Sequence, residues 1–147
     1  MIEIYTARHR KYIEMVAGVL GIWKNDTEVL FSFKKRLDGD VAGHCWGDKD
    51  LIYIDIATHV DGEKVEKDEM LQCIAHEMVH ARQFIRGHLK DMPASITAGK
   101  NGPIVKFAKK WKGTMHIDTP YTKQPWEIEA YNLEVKTMQL ALIAMKM

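Results

Sequence analysis

Residues 66–86 form the segment that most constrains how this chain can fold. Their apolar side chains recur at helical spacing and form one stripe: Met70, Leu71, Ile74, Met78, Ala81 and Ile85. His76 and His80, four residues apart, lie on a second face together with Cys73 and Phe84. A helix with apolar neighbours on two faces is expected to be buried between layers, where two imidazoles need polar partners. A metal ion is the partner that both can reach from one helical face.

The flanking segments predict an α+β protein, with a sheet before this helix and further helices after it. Strands are predicted over residues 28–35, 41–47 and 51–57, with turn signals at Asp38-Gly39-Asp40 and Asp48-Lys49-Asp50. Helices are predicted over residues 6–20, from Asn101-Gly102-Pro103 onward, and from Pro125 to about Met145, with an irregular stretch at residues 88–101. Because the strand connections are short, we expect a small three-stranded, mainly antiparallel sheet packed on the buried helix. No linker or repeat divides the chain, so residues 1–147 are expected to form a single domain.

The composition excludes some classes of protein. A formal net charge of +1 gives the chain no global field that would attract nucleic acid or a membrane surface. The longest apolar run near the C-terminus, from Leu140 to Met145, is far shorter than the roughly 20 residues of a membrane span. The two cysteines, Cys45 and Cys73, lack CxxC spacing and are expected to be free thiols, which favours a cytoplasmic protein.

The chemistry is expected at His76-Glu77-Met78-Val79-His80. A chain of this composition contains about 0.02 accidental matches to such a pattern, so chance is a poor explanation. Zinc held by the two imidazoles would make water acidic, and Glu77 beside it would take the proton as the water attacks a carbonyl. The alternative is a helix that merely carries two surface histidines. We therefore expect one Zn²⁺ ion at His76 and His80, with Glu77 as the catalytic base.

The best candidate for a third ligand lies in Pro125-Trp126-Glu127-Ile128-Glu129-Ala130-Tyr131. Glu127 and Glu129 are two residues apart, so on a helix they point in nearly opposite directions. The apolar stripe of this helix is expected to face the core and consists of Ile128, Tyr131, Val135, Met138, Leu142 and Met145. Glu127 lies on the side of this stripe, so we expect it to face inward and to complete a His₂Glu site with one position left for water. Glu129 is expected to face solvent.

Other roles remain open for the residues around this site. An inward Glu127 is alternatively explained by an ion pair with Arg82 or a lysine. Three histidines are alternative third ligands: His88, His116 and His44. Glu134, two turns beyond Glu127, also faces inward, where it would either orient a ligating histidine or form a salt bridge.

The HEMVH motif followed by PWEIEAY resembles the gluzincin group of metallopeptidases. In that group the third ligand is a Glu on a following helix, often with Ala three residues later, and Glu127 and Ala130 match this arrangement. The acidic residue that many members carry after the Ala is Tyr131 here. The resemblance implies a zincin-like fold and hydrolysis of peptide bonds in peptides or proteins, with His76, His80 and Glu127 on the zinc ion.

Residues 27–113 are similar to SprT-like proteases in the order of their elements: strands, one of them LIYIDIA, then HExxH, then a helix beginning at Gly102. In those proteins a third histidine ligand precedes that glycine, and Asn101 occupies its position here. This likeness implies a protease that acts on DNA-associated proteins. Four lysines offer a nucleic-acid contact: Lys106, Lys109, Lys110 and Lys112. Ile104, Phe107, Ala108 and Trp111 fall at helix-core spacing, so we expect these lysines to form a solvated face instead.

The resemblance also implies where a substrate binds. In HExxH peptidases the strand beside the metal helix usually lies at the sheet edge and pairs with an extended peptide. Leu51–Ala57 is expected to do so through Tyr53, Ile54 and Asp55, with an ordinary interior strand as the alternative. Candidate donors to a developing oxyanion are Tyr53, His116, Tyr121 and Tyr131. Tyr131, one turn from Glu127, is the favoured catalytic donor, with core packing as its other role. A metal-binding module without turnover is a further class, although such a module has no need of Glu77.

Overall fold

The computed structural model describes the backbone of residues 1–147 and the side chains of all of them except residues 94–97 and 105–107. The predicted α+β class is confirmed, because the described chain combines three α-helices with small sheets whose strand pairs are mostly antiparallel. The helices are α1, Arg10–Val19; α2, Lys67–Ile85; and α3, Pro125–Met145. Among the described residues, no helix has the length together with the hydropathy that a membrane span requires.

The first sheet contains four strands: β1, Glu3–Tyr5; β2, Glu28–Lys34; β3, Gly43–Gly47; and β4, Leu51–Ala57. Their spatial order is β1-β2-β4-β3, in which β1, β2 and β4 are parallel and β3 is an antiparallel edge strand. The three predicted strands are present, but the sheet differs from the predicted one in its fourth strand and its two parallel pairs. After β2 the chain forms β3 at the edge of the sheet, and a hairpin then brings β4 back between β2 and β3.

The central position of β4 follows from the burial of its side chains. Ile52, Ile54 and Ile56 are almost completely buried on the face toward the helices. The hairpin that delivers β4 beside β3 is fixed by Asp48, whose carboxylate accepts hydrogen bonds from the backbone N–H groups of Asp50 and Leu51 at 2.8 and 3.0 Å. The expectation that Leu51–Ala57 is an edge strand is therefore wrong, and β3 takes that place.

The helices form a layer on this sheet. α2 lies against β3 and β4, and α3 packs against both α1 and α2. The core between them is built from fully buried side chains: Ile13, Val16, Val29, Ile52, Ile54, Ile74, Met78 and Val79. The buried hydroxyl of Tyr12 donates to the carbonyl of Leu71 at 2.6 Å and so joins α1 to α2. α2 is thus buried between layers, as its two apolar faces predicted.

A short hairpin precedes α2 and consists of β5, His59–Val60, and β6, Glu63–Lys64.

Residues 88–117 form sheet structure where the sequence predicted an irregular stretch and a helix. After α2, three antiparallel strands follow: β7, Leu89–Gly99; β8, Gly102–Trp111; and β9, Thr114–Ile117. The predicted helix at Asn101-Gly102-Pro103 is wrong, because Gly102 has φ 123° and the chain turns back there into a hairpin. The predicted inward packing of Phe107 falls on a side chain outside the described residues.

α3 buries a different face from the predicted one. Its buried residues are Trp126, Ala130, Thr137 and Ala141. The first half of the predicted apolar stripe is exposed instead, with Ile128 at 47%, Tyr131 at 52% and Val135 at 43%. The second half of the stripe, Met138, Leu142 and Met145, is partly buried against the core. Three of the four buried residues, Ala130, Thr137 and Ala141, are small and let this part of α3 lie close to its neighbours.

Candidate metal centre

α2 and α3 bring three metal-ligating side chains together. His76 and His80 occupy successive turns of α2 and are 7% and 6% exposed. Their Nε2 atoms lie 2.9 and 3.0 Å from Oε1 of Glu127, in the first turn of α3. Among the described residues, His76, His80 and Glu127 form the group of three that can hold a metal ion, with ligand atoms within 4.8 Å of one another. The geometry therefore favours Glu127 as the third ligand over Glu129, His88 and His116.

The donor set fits a divalent ion such as zinc. Two imidazole nitrogens and one carboxylate oxygen form a common set of three protein ligands, which leaves a further position for solvent or substrate. Ligand atoms about 2.1 Å from zinc in a tetrahedral site lie about 3.4 Å apart. Oε1 of Glu127 lies slightly closer than this to the two imidazole nitrogens, at 2.9 and 3.0 Å. The site faces a cavity of about 790 Å³ that also contains Glu77, Tyr121, Tyr131 and Glu134.

Gln83 orients His80. Its side-chain amide is 1% exposed and donates to the carbonyl of Trp126 at 3.0 Å and to Glu129 at 3.2 Å. These two bonds fix the amide so that its Oε1 faces Nδ1 of His80 and accepts a hydrogen bond from that N–H at 2.8 Å. His80 is thereby held with Nε2 turned toward Glu127, which is the orientation that a ligand requires.

Glu129 is placed differently from the expectation. It was predicted to face solvent, but its carboxylate accepts from Gln83 and lies 3.8 Å from Arg82, with 28% of the side chain exposed. Arg82 is thus engaged with Glu129 rather than with Glu127. Burial lowers the pKa of Arg82, which also lies near the cationic Arg86.

Charge and hydrogen bonding shift the pKa values of the ligands in opposite directions in the ion-free protein. Burial works to raise the pKa of Glu127, but hydrogen bonds from His76 and His80, together with their charges, lower it to about 2. Burial works to lower the pKa of His80, but the hydrogen bond with Glu127 and the charge of Glu77 outweigh it, so this pKa is raised. The cluster therefore favours an ionised Glu127.

The second nitrogen of His76 faces Glu134. Nδ1 lies 3.3 Å from Oε2 of Glu134. The angle does not suit a hydrogen bond, and Nδ1 has no hydrogen-bond partner among the described residues. The ring of Tyr131 packs edge-on against His76 with centroids 4.7 Å apart. Glu134 thus lies beside the candidate ligand His76, and its role in orienting a ligating histidine stays a prediction.

Glu77 is buried in the same cavity, with 5% of its surface exposed. Its Oε2 has no hydrogen-bond partner among the described residues. Burial raises the pKa of Glu77 to about 7, against the opposing charges of His80 and His76. A buried carboxylate without a partner costs free energy, and such groups are characteristic of functional sites.

Two tyrosines lie at the mouth of the cavity. The hydroxyl of Tyr121 donates to Oε1 of Glu127 at 3.2 Å and lies 2.9 Å from the hydroxyl of Tyr131. Both side chains are about half exposed, so core packing of Tyr131 is excluded. Burial, followed by the hydrogen bond with Tyr131 and the charge of Glu127, raises the pKa of Tyr121. Tyr121 therefore keeps its proton and remains a hydrogen-bond donor near the ligands.

The predicted substrate-binding residues of β4 lie away from this cavity. Ile54 is fully buried in the core, Tyr53 stacks on Trp46 at 5.4 Å, and Asp55 forms an ion pair with Lys34 at 3.3 Å. Residues of the edge strand β3 and the segment before it line the cavity instead: Val41, Ala42, Gly43, His44 and Cys45. The assignment of Tyr53, Ile54 and Asp55 to substrate binding is not supported by this placement.

The three histidines that were alternative third ligands pack against aromatic neighbours. His44 stacks on Trp46 at 5.0 Å and lines the cavity, and His88 packs against Trp111 at 6.1 Å. His116 packs edge-on against Trp126 at 5.5 Å and lines a second cavity of about 580 Å³ beside the first. His88 and His116 lie outside the lining of the cavity that contains His76 and His80.

The helix on which the lysine face was predicted does not form, because Lys106, Lys109 and Lys110 lie on strand β8 and Lys112 lies in the turn after it. Lys109 pairs with Asp91 at 2.6 Å, and Lys112 lies over the ring of Trp111, 5.2 Å from its centroid. Lys109 and Lys110 are adjacent on a strand and point to opposite sides of it. The side chain of Lys106 lies outside the described residues.

Sequence reasoning overlooked two residues of the site. Gln83 was not among the predicted site residues, although a Gln three residues after His80 stands on a neighbouring part of the same helix face. Gly43 was treated as an ordinary strand residue. Its closeness to Glu77 depends on a contact between β3 and α2 that carries no local signal.

No protein-family model, curated protein or solved structure matches this chain. The functional assignment consequently rests on the geometry of the site and on the motifs themselves.

Proposed function

We propose that this protein is a zinc-dependent metallopeptidase in which His76, His80 and Glu127 hold one zinc ion and Glu77 is the general base. The observation that carries the proposal is the convergence of the three ligand atoms in one cavity with a buried, unpartnered Glu77. A metal-binding site that serves only structure has no use for a buried carboxylate that is left without a partner.

The residues of the chain divide the chemistry among themselves. A zinc ion supplies a Lewis acid that acidifies water and polarises a carbonyl group. Glu77, buried beside His76 in the same cavity, is suited to take a proton from the attacking water and to return it to the leaving amine. Tyr131 and Tyr121 are placed to donate hydrogen bonds to negative charge that develops beside the ligands.

The substrate proposed for this site is an extended peptide bound along β3. One edge of β3 pairs with β4, and the other edge is free of pairing in the sheet order. Residues on and before this strand line the cavity that contains Glu77. An extended peptide that pairs with the free edge would pass directly across the candidate metal centre. Edge-strand pairing accommodates many side chains, which fits a peptidase.

Two measurements test the proposal. Protein purified without added metal is expected to contain about one zinc ion per chain, and Glu127→Ala is expected to lower this content severely. A broad peptide library is expected to reveal cleavage that falls about 100-fold or more in Glu77→Gln while the metal is retained. Glu66→Gln, the same substitution at an exposed position just before α2, is the matched control and should leave cleavage unchanged.

Each failure has a separate meaning. Absence of bound metal in the parent, or full metal content in Glu127→Ala, would contradict the proposed ligand set. Metal binding without cleavage of any library peptide would contradict the peptidase assignment and favour a binding module. Cleavage that persists in Glu77→Gln would contradict the role of Glu77 as general base and would leave the proposed ligand set and peptidase activity intact.

A further inference from the structure

The edge strand β3 approaches the catalytic helix most closely at Gly43. A methyl group on its Cα would lie 2.8 Å from Sγ of Cys73, 3.0 Å from Cγ of Glu77 and 3.2 Å from Oε1 of Glu77. These separations are below or at the limit of van der Waals contact, so any side chain here would displace α2 side chains. The φ angle of Gly43 lies outside the left-handed region. The glycine is therefore required by space rather than by backbone conformation.

This contact matters because, among the described residues, no hydrogen bond fixes Oε2 of the Glu77 carboxylate. A buried carboxylate without hydrogen bonds is held in place by the atoms that it packs against, and the backbone of Gly43 is one such surface. A side chain at position 43 would point out of the sheet toward α2. The free edge of β3, which would pair with a peptide, lies at right angles to that direction, in the plane of the sheet.

We propose that Gly43 is a positioning residue: its missing side chain sets the place of the Glu77 carboxylate in the cavity. The inference rests on the proposed peptidase function. A methyl group at position 43 pushes the Glu77 carboxylate or the Cys73 thiol out of place, while His76, His80 and Glu127 stay as they are. Displacements of about 1 Å at a reacting group are sufficient to reduce turnover about 100-fold.

The test is Gly43→Ala, compared with Gly18→Ala. Gly18 lies on α1 with open space where a Cβ would stand, so its replacement controls for the loss of a glycine. Gly43→Ala is expected to lower kcat about 10-fold or more while KM and bound metal stay within about twofold of the parent. Gly18→Ala is expected to keep parental kcat, KM and metal content. A merely structural defect would instead reduce metal content or change KM together with kcat.

A second substitution makes the contact itself testable. Cys73→Ala removes the sulfur atom that lies closest to the added methyl group, so Gly43→Ala/Cys73→Ala should recover part of the lost kcat and of any lost melting temperature. Parental kcat in Gly43→Ala would overturn the proposal, and so would strictly additive effects in the double variant. If the parent cleaves no peptide, the peptidase proposal fails, and the melting temperatures still decide whether Gly43 and Cys73 are coupled.

Discussion

Oε1 of Gln83 accepts a hydrogen bond from Nδ1 of His80 at 2.8 Å, and the amide nitrogen of the same side chain donates to the carbonyl of Trp126 at 3.0 Å. One buried side chain thus joins a candidate ligand on α2 to the helix turn that carries Glu127. The arrangement fixes both the proton on His80 and the distance between α2 and the start of α3.

We predict that Gln83→Met lowers zinc affinity about 10- to 100-fold and destabilises the protein by about 1–3 kcal/mol. Methionine has a similar length but neither accepts the proton of His80 well nor donates to Trp126. Zinc competition with a chromogenic chelator measures the affinity, and urea denaturation measures the free energy of unfolding. Gln139→Met, on the exposed side of α3, is the matched control. Equal zinc affinity in the parent and Gln83→Met would show that His80 needs no such support.

Glu77 is predicted to make the ion-free protein less stable as the pH rises. Its pKa is about 7 in the folded chain against an ordinary value of 4.5, so the folded state binds this proton more tightly than the unfolded state. The resulting stability is complete below about pH 4.5 and is lost as the pH rises through about 7. The loss amounts to at most about 3 kcal/mol.

The comparison that isolates this effect is the parent against Glu77→Gln, both in excess chelator. The free energy of unfolding should fall more steeply between pH 5 and pH 8, about the window of this titration, in the parent than in the variant. Because the charge of Glu77 is one cause of the raised pKa of His80, the difference between the two profiles measures the titration of Glu77 together with its interaction with His80. Parallel pH profiles for the two proteins would show that burial does not penalise the ionised Glu77.

The two thiols are predicted to be unreactive in the folded protein. Burial, with the charges of Glu77 and Glu134, raises the pKa of Cys73 to about 12, and burial raises that of Cys45 well above its usual range. At pH 8 the thiolate fraction of Cys73 is then about 1000-fold below that of an ordinary cysteine. Iodoacetamide labelling followed by mass spectrometry should find both thiols unmodified when folded and modified in urea. Rapid labelling of folded Cys73 would contradict the raised pKa of its thiol.

The parts of this molecule that sequence predicts well are those with a local cause. The helix containing His76 and His80 is confirmed within a residue or two, because its periodicity lies within one continuous segment. Glu127 was favoured over Glu129 because it lies on the side of the predicted apolar stripe of α3. The structure places Glu127 beside both imidazoles, although the first half of that stripe is exposed and Glu129 contacts Gln83.

The parts that sequence missed depend on distant partners. Gly102-Pro103 was interpreted as the start of a helix, because Pro is common in the first turn of helices. In the structure it lies in a hairpin instead, because Leu89–Gly99 pairs with Gly102–Trp111. Leu51–Ala57 lies in the interior because the chain forms the edge strand β3 before it inserts β4 between β2 and β3. The short connection between β3 and β4 predicts that the two strands pair, but not which of them lies at the edge. Neither the contact of Gly43 with Glu77 nor the interior place of Leu51–Ala57 has a periodic signal.

The orientation of α3 provides the last prediction, since hydrophobicity and observed burial disagree there. Val135 is 43% exposed, whereas Ala141 is fully buried. Val135→Ser should change the free energy of unfolding by less than about 0.5 kcal/mol, because the two residues have similar helix propensity and little apolar surface is lost. Ala141→Leu should destabilise the protein by about 1–3 kcal/mol, because a larger side chain overfills the contact of α3 with its neighbours.

Urea denaturation of both variants measures these changes, and Lys136→Leu at an exposed position controls for the introduced leucine itself. The opposite result, a large loss for Val135→Ser with a neutral Ala141→Leu, would mean that α3 buries the hydrophobic stripe read from its sequence. Such a rotation would also change the position of Glu127 relative to His76 and His80 on α2, because Glu127, Val135 and Ala141 belong to one helix and turn together. The stability of two substitutions remote from the cavity therefore tests the same helix orientation on which the metal centre depends.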